Sequence, residues 1–132
     1  MDQNPTPRLS RRESGFSTPQ FVATAGLALF LFVVLANLIV FQYGKGVVRG
    51  ALAEGARAGA RLAADASDCQ QAAESMLRNL LGGSMGDGVL TWCQDDGVVV
   101  LASADVTFAS WVVGIPDWSF QISASSVKEV AP

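Results

Sequence analysis

Cys69 and Cys93 are the residues of this chain with the most distinctive chemistry. Two cysteines are too few for a Cys-only zinc site, and the sequence holds no histidine to complete one. A pair of thiols can form a disulfide, which persists in an oxidising compartment. The other reading is two buried free thiols in a cytoplasmic domain. The lack of histidine also excludes His-based acid–base catalysis and His-ligated metals. Serines are plentiful, but no Ser/Lys pair sits at a recognisable spacing, so no nucleophile has an activating base. The chain therefore reads as a non-enzyme without a cofactor. Asp95, Asp96 and Asp105 could suggest calcium, yet no D-x-D-x-D-G loop is present. They read as solvated carboxylates of a turn and a strand face.

A bond between Cys69 and Cys93 would join two different elements. Cys69, Ala73, Met76, Leu77, Leu80 and Leu81 recur at helical spacing. Ser67 and Gln70 suit a capping box at the start of that helix, and Gly82-Gly83 stops it. Cys93 ends a strand, Val89 to Cys93. A second strand runs from Val98 to Phe108, and Asp96-Gly97 between them suits a type I′ hairpin turn. In the second strand Ala102, Ala104, Val106 and Phe108 alternate with Ser103, Asp105 and Thr107. In a third, Trp118, Phe120, Ile122 and Ala124 alternate with Ser119, Gln121 and Ser123. The expected product is a three-stranded antiparallel sheet packed on helices. The disulfide would clamp the second helix to the first strand of a head small enough to need a staple. Trp111, Ile115, Pro116 and Trp118 are expected to cap the small core. The alternative is an exposed aromatic loop that binds a ligand.

The whole chain is 132 residues, half of them apolar and only 16% charged, against about 25% in an ordinary soluble domain. Mean hydropathy is +0.33, which excludes disorder for most of the chain. A net charge of −3 and a pI near 4.7 argue against direct nucleic-acid binding, which calls for a basic face.

No charge occurs from Phe16 to Gly44. Within this run, Phe21 to Phe41 has 14 Leu, Ile, Val or Phe residues. As a helix it would reach about 31 Å, the thickness of a bilayer's hydrocarbon. A transmembrane helix follows, with lipid as its surroundings. A removable signal peptide is the rival, but its apolar region would be only about 7–15 residues. The nearest A-x-A, at Ala51 to Ala53, lies beyond Lys45 and Arg49. Pro19 suits the first helical turn after Ser17 or Thr18 as N-cap. Asn37 is an amide in mid-span, suited to hydrogen bonding between helices. Beyond the span, Gly46/Gly50 and Ala51/Gly55/Gly59 fall four apart, a spacing that lets helix backbones approach closely. The helix should continue beyond the span and end by Ala64, with Gly44–Gly46 as the candidate point for a kink.

Basic residues flank the span on both sides: Arg8, Arg11 and Arg12 before it, Lys45, Arg49, Arg57 and Arg61 after it. Charge therefore does not orient the chain. Both cysteines lie C-terminal to the span, which argues for a cytoplasmic tail and an extracytoplasmic head at the cell membrane. The expected organisation is a tail at 1–15, a transmembrane helix at 16–44, an extended Ala/Gly-rich helix at 45–66 and a head at 67–132. The fold class is α+β: a long N-terminal transmembrane helix extending into a small domain of one further helix and a three-stranded antiparallel sheet.

The junction of basic residues, Gly15, Phe16, Gln20 and a long apolar helix resembles a type IV prepilin leader. In that family a membrane peptidase cuts after the glycine, which implies a cut between Gly15 and Phe16. A freed amine at Phe16 would need a partner in or near the bilayer. The family supplies a glutamate five residues into the mature chain; here the position is Gln20, which accepts a hydrogen bond but neutralises no charge. With the stretch EGARAGAR (Glu54 to Arg61) and the two-cysteine sheet domain, the order of parts resembles the TadE-like minor pilins or pseudopilins of the Tad (Flp) pilus system. The resemblance implies a pilus-assembly role through helix packing with other pilins or the assembly platform, and a prepilin peptidase as a partner. It implies no catalytic residue. The alternative function is a single-pass membrane-anchored extracellular binding module.

Overall fold

The computed structural model describes residues 18–110 and 113–132, without the side chains of residues 84 and 85. The order of elements is α1 (Thr18–Ala60), α2 (Ala66–Leu81), the short α3 (Ser84–Asp87), β1 (Val89–Asp95), β2 (Val99–Phe108) and β3 (Trp118–Val127). The chain divides into two compact units at Ala36/Asn37, and α1 runs through the division as one continuous helix of 43 residues, with no break at Gly44–Gly46.

In the first unit the described residues, from Thr18 to Ala36, are α1 alone. Phe21, Val22, Leu27, Leu29 and the run from Phe30 to Leu35 are all exposed. An 18-residue stretch of α1 with mean hydropathy 2.5 is wholly unburied, so this helix is long and apolar enough to cross a membrane.

In the second unit the same helix becomes the core. Its buried residues are Gly44, Val48, Ala51, Leu52, Gly55, Ala56, Gly59 and Ala60. Steps of three and four put them on one stripe of a 3.6-residue helix. Lys45, Arg49, Glu54, Arg57 and Arg61 occupy the exposed face. The buried stripe packs with Val100, Ala102, Ala104, Val106 and Ile122 of the sheet. Small residues on both sides, alanines on the strand and Ala or Gly on the helix, allow a close helix-on-sheet approach.

The sheet is antiparallel with order β1-β2-β3. Its register aligns Cys93, Ala102 and Ala124 across the three strands, then Thr91, Ala104 and Ile122, then Val89, Val106 and Phe120. These rows form the core face, as the period-2 alternation predicts. Ser103 departs from the expected alternation, being buried although its neighbours Ala102 and Ala104 are buried on the opposite face. The register sets Trp92 and Ser123 on either side of it, so a large aromatic residue shares its face.

Three local expectations change. The N-cap of α2 is Asp65, not Ser67. Its Oδ1 accepts from the Ser67 and Asp68 N–H groups at 2.8 and 3.2 Å, while Asp68 Oδ2 accepts the Asp65 N–H at 3.0 Å. This is a complete capping box starting two residues earlier, because a carboxylate caps at least as well as a hydroxyl and adds favourable charge at the helix start. Leu80 of the predicted stripe is exposed, while Cys69, Ala73, Leu77 and Leu81 are buried; their four-residue steps stay on the packed face and Leu80 lies off it. The β1–β2 turn is not type I′, since Gly97 has φ 87° but Asp96 has no positive φ. The turn is held by side chains instead: Asp96 Oδ1 accepts from the Val98 and Val99 N–H groups at 2.9 and 2.7 Å, as aspartates do in turns.

The C-terminal end of α1 is closed by the far end of the chain. The Ala60 carbonyl accepts the Glu129 N–H at 2.8 Å, and the Glu129 carboxylate accepts the Leu62 N–H at 3.4 Å. A helix end otherwise leaves such carbonyls unpaired.

Gly59 and Gly46 separate packing from propensity. A Cβ at Gly59 would lie 2.7 Å from Cys69 Cβ and 3.1 Å from Val100 Cγ1, while one at Gly46 would meet nothing within 4 Å. In urea unfolding of the full chain in detergent micelles, Gly59→Val should destabilise by roughly 1–3 kcal/mol through overpacking. Gly46→Ala should instead stabilise by about 0.5–1 kcal/mol, the helix penalty of glycine. Equal effects at the two positions would contradict this packing.

Candidate functional site

The residues with candidate roles fall into two groups, one built around the sulfurs and one where α1 enters the second unit. Cys69 and Cys93 form a disulfide with a Cα–Cα distance of 6.2 Å, and neither cysteine is free. It ties α2 to β1, as the sequence suggests. Gly55 and Gly59 set its position. A Cβ at Gly55 would come within 2.8 Å of the Cys69 carbonyl oxygen and 2.9 Å of Ala73 Cβ. The four-residue glycine spacing is thus used within the chain, by α2. Gly50 is looser, with Met76 Cε 3.9 Å from the Cβ position, and Gly46 faces open space.

Two residues after Cys93, at the same end of the strand, Asp95 joins the turn to the C-terminal segment. Its Oδ2 accepts from the Lys128 ammonium, and its Oδ1 accepts the Gly97 N–H at 2.8 Å. The Lys128 N–H donates to the Val98 carbonyl at 2.8 Å. The ammonium of Lys128, then the Gly97 N–H, hold the Asp95 carboxyl below its usual range. The Val99 and Val98 N–H groups do the same for Asp96. The Ser67 hydroxyl, then the Asp68 and Ser67 N–H groups, do so for Asp65. Asp95 and Asp96 are thus committed to shaping the turn, and Asp105 stands exposed on β2. Among the described residues no group of three or more Cys, Asp or Glu side chains could hold a metal ion.

The second group is an aromatic collar whose assembly no local sequence pattern marks. Phe41 of α1 lies 4.8 Å from the Trp118 ring and 5.5 Å, edge-on, from Phe120. Phe108 lies 6.1 Å from Phe120, with its ring against Gly44, where a Cβ would sit 2.8 Å from Phe108 Cζ. Lys45 Nζ stands 6.0 Å over the Phe120 ring. Phe41, Phe108 and the Trp118/Phe120 pair come from three separate segments, and the hairpin register with the helix-on-sheet packing brings them to one turn of α1. The loop that follows carries exposed Val113, Ile115 and Pro116, so Ile115 and Pro116 do not cap the core as expected. Trp118 packs its ring at a tilt against Phe41 while remaining 46% exposed.

Of the remaining candidates, Asn37 is half-buried on α1. Gln20 lies in the first turns of the helix, where its backbone carbonyl accepts the Thr24 hydroxyl at 2.9 Å. Gly15 and Phe16, the residues of the expected cut, lie outside the described residues, as does Trp111. One open groove of about 500 Å³ runs beside the end of α2 and the start of β1, lined by Gln70, Glu74, Leu77, Arg78, Asp87 and Leu90 among others.

Compared with known proteins, the chain matches no family model, no curated protein sequence and no solved structure.

Two outcomes follow for the clamp. The cysteines stand 24 positions apart, so chain entropy predicts that reduction costs about 3–4 kcal/mol. Urea midpoints of the full chain with and without dithiothreitol measure it, and thiol labelling without reductant should find neither cysteine. The three lowered aspartates set a pH dependence. Their folded pKa values lie below the unfolded ones, so their stabilisation is complete above about pH 4 and is lost as pH falls through the folded values. Stability in urea should decline on acidification below that point, and Asp95→Asn should flatten part of the decline. An unchanged slope in the variant would show that Asp95 carries none of it.

Proposed function

We propose that the chain is a structural or assembly component of a Tad-type pilus, a TadE-like minor pilin or pseudopilin. It is anchored in the cell membrane by α1 and carries its head on the extracytoplasmic side. The observation that carries this reading is the double use of α1. One unbroken helix is apolar and wholly exposed over its first part and forms the core of a disulfide-bonded head over its second. A soluble protein would have to cover the exposed part; a bilayer does so along its whole length. The disulfide supports an oxidising location for the head. The later part of α1 is the core of the head, and lateral packing of that same helix is the proposed mode of action. Other pilins or assembly-platform proteins are the partners proposed for that packing. With Gly55 and Gly59 occupied by α2, the contact surface proposed on α1 narrows to Asn37 and the open side at Gly46.

The groove beside α2 and β1 favours a second reading, a membrane-anchored extracellular binding module. Processing separates the two. In the pilin reading a prepilin peptidase cuts between Gly15 and Phe16, and N-terminal sequencing of the membrane-extracted chain should begin at Phe16. A chain that begins at Met1 in cells with an active peptidase would remove the pilin reading and leave the anchored module. Asn37→Leu should reduce crosslinked oligomers in membranes, with a loss of about 0.6 kcal/mol for one interhelical amide; unchanged crosslinking would exclude Asn37 from the contact.

A further inference from the structure

The two strand ends that carry the β2–β3 loop meet α1 where its charge-free run stops. Phe108, the last residue of β2, lies against Gly44, and Trp118, the first of β3, lies 4.8 Å from Phe41. The first charge along α1 is Lys45. The loop therefore leaves the sheet beside the last apolar turns of the helix. All of these residues belong to the same compact unit, Asn37–Pro132.

The surface there is apolar and amphipathic in a consistent way. Val113 is fully exposed at 102%, and Ile115 and Pro116 are exposed beside it. The loop is closed at its foot, where Asp117 Oδ1 accepts the Ser110 N–H at 3.0 Å, so its one carboxylate is engaged in the turn. Leu38, Ile39 and Tyr43 are exposed on the adjoining turns of α1. Tyr and Trp side chains favour the headgroup level of a bilayer, where an apolar ring and a polar tip are both satisfied. Lys45, whose ammonium stands over Phe120, supplies a cation at the same level, as anionic phosphates require.

We propose that the tip of the β2–β3 loop, Val113 to Pro116, inserts with Trp118 and Tyr43 into the interfacial layer of the bilayer, so that the head is docked on the lipid surface and not held away from it. The proposal rests on the membrane reading of α1. The argument for lipid as the occupant is continuity: the loop's apolar surface and the exposed Leu38 and Ile39 lie at one end of one unit, and whatever covers the helix there also meets the loop.

The test uses the full chain reconstituted in phosphatidylcholine vesicles. One variant keeps only Trp118 (Trp92→Phe with Trp111→Phe), and a control keeps only Trp92 (Trp111→Phe with Trp118→Phe). Flotation first reports whether α1 anchors the chain. Vesicles brominated near the headgroup end of the acyl chains should then quench Trp118 and leave Trp92, on β1, unquenched. Adding Val113→Asp and Ile115→Asp should relieve the quenching without preventing flotation. A chain that floats with unquenched Trp118 overturns the proposal and leaves the anchor standing; a chain that does not float removes both. Emission of Trp118 that changes with the protein-to-lipid ratio and not with bromination would assign the loop to a second protein copy, which also overturns it. A wild-type check avoids folding defects in the variants: photoactivatable phosphatidylcholine labelled near the glycerol should mark peptides covering 113–118, and labelling confined to α1 would refute lipid contact by the loop.

Discussion

The close approach of α2 to α1 over Gly55 and Gly59 governs the arrangement of the second unit. With a side chain at either position the Cys69 backbone would have to move, since the Cβ positions fall 2.8 Å from its carbonyl oxygen and 2.7 Å from its own Cβ. Contact at that range puts the Cys69 sulfur within reach of Cys93 on β1. β1 in turn carries Asp95 to the Lys128 ammonium, and the next residue, Glu129, closes the carbonyl end of α1. The circuit runs from helix to helix to strand to C-terminal segment and back to the first helix. Each link is local, but together they make the end of the chain a cap for its longest element.

The α1 helix has to satisfy two surroundings with one backbone. Over Phe21 to Leu35 it carries large apolar residues on all sides, a pattern that suits a medium with no polar face to prefer. From Gly44 onward only one stripe is apolar and it is built of small residues, with charges on the opposite face. Small residues give little burial per side chain, and Val48 and Leu52 are the largest fully buried side chains that α1 contributes to the core. A core of that size gains modestly from area alone, which explains why a covalent tie between α2 and β1 is valuable here.

The aromatic collar lies at the junction of those two regimes. Phe41, Trp118, Phe120 and Phe108 surround the turn of α1 where apolar residues give way to Lys45 and Arg49. Gly44 makes room for the Phe108 ring, so the sheet meets the helix without a gap. Ring contacts join α1 to the sheet at one end, and the segment after β3 meets the carbonyl end of α1 through Glu129 at the other.

The two long helices and the three strands were legible in the linear chain because each has a strong local signature, whereas the four-residue α3 has none. The apolar run, the helical spacing of Cys69 to Leu81, the Gly82-Gly83 stop and the alternation along the three strands depend on neighbours within a few residues. The single cysteine pair left one intrachain disulfide to expect. Local chemistry misled at cap and turn, where Asp65 takes the cap offered to Ser67 and Asp96 holds its turn through its side chain instead of through a positive φ, and where burial depends on distant neighbours, as at the exposed Leu80 and Ile115. Tertiary structure alone decided which surface the glycines serve, because Gly46 and Gly55 look alike in sequence and differ only in whether α2 lies above them. It also decided the collar and the Asp95–Lys128 pair. Phe41 and Lys128 lie tens of residues from their partners, and such contacts exist only once the antiparallel register and the helix-on-sheet packing have brought distant segments together.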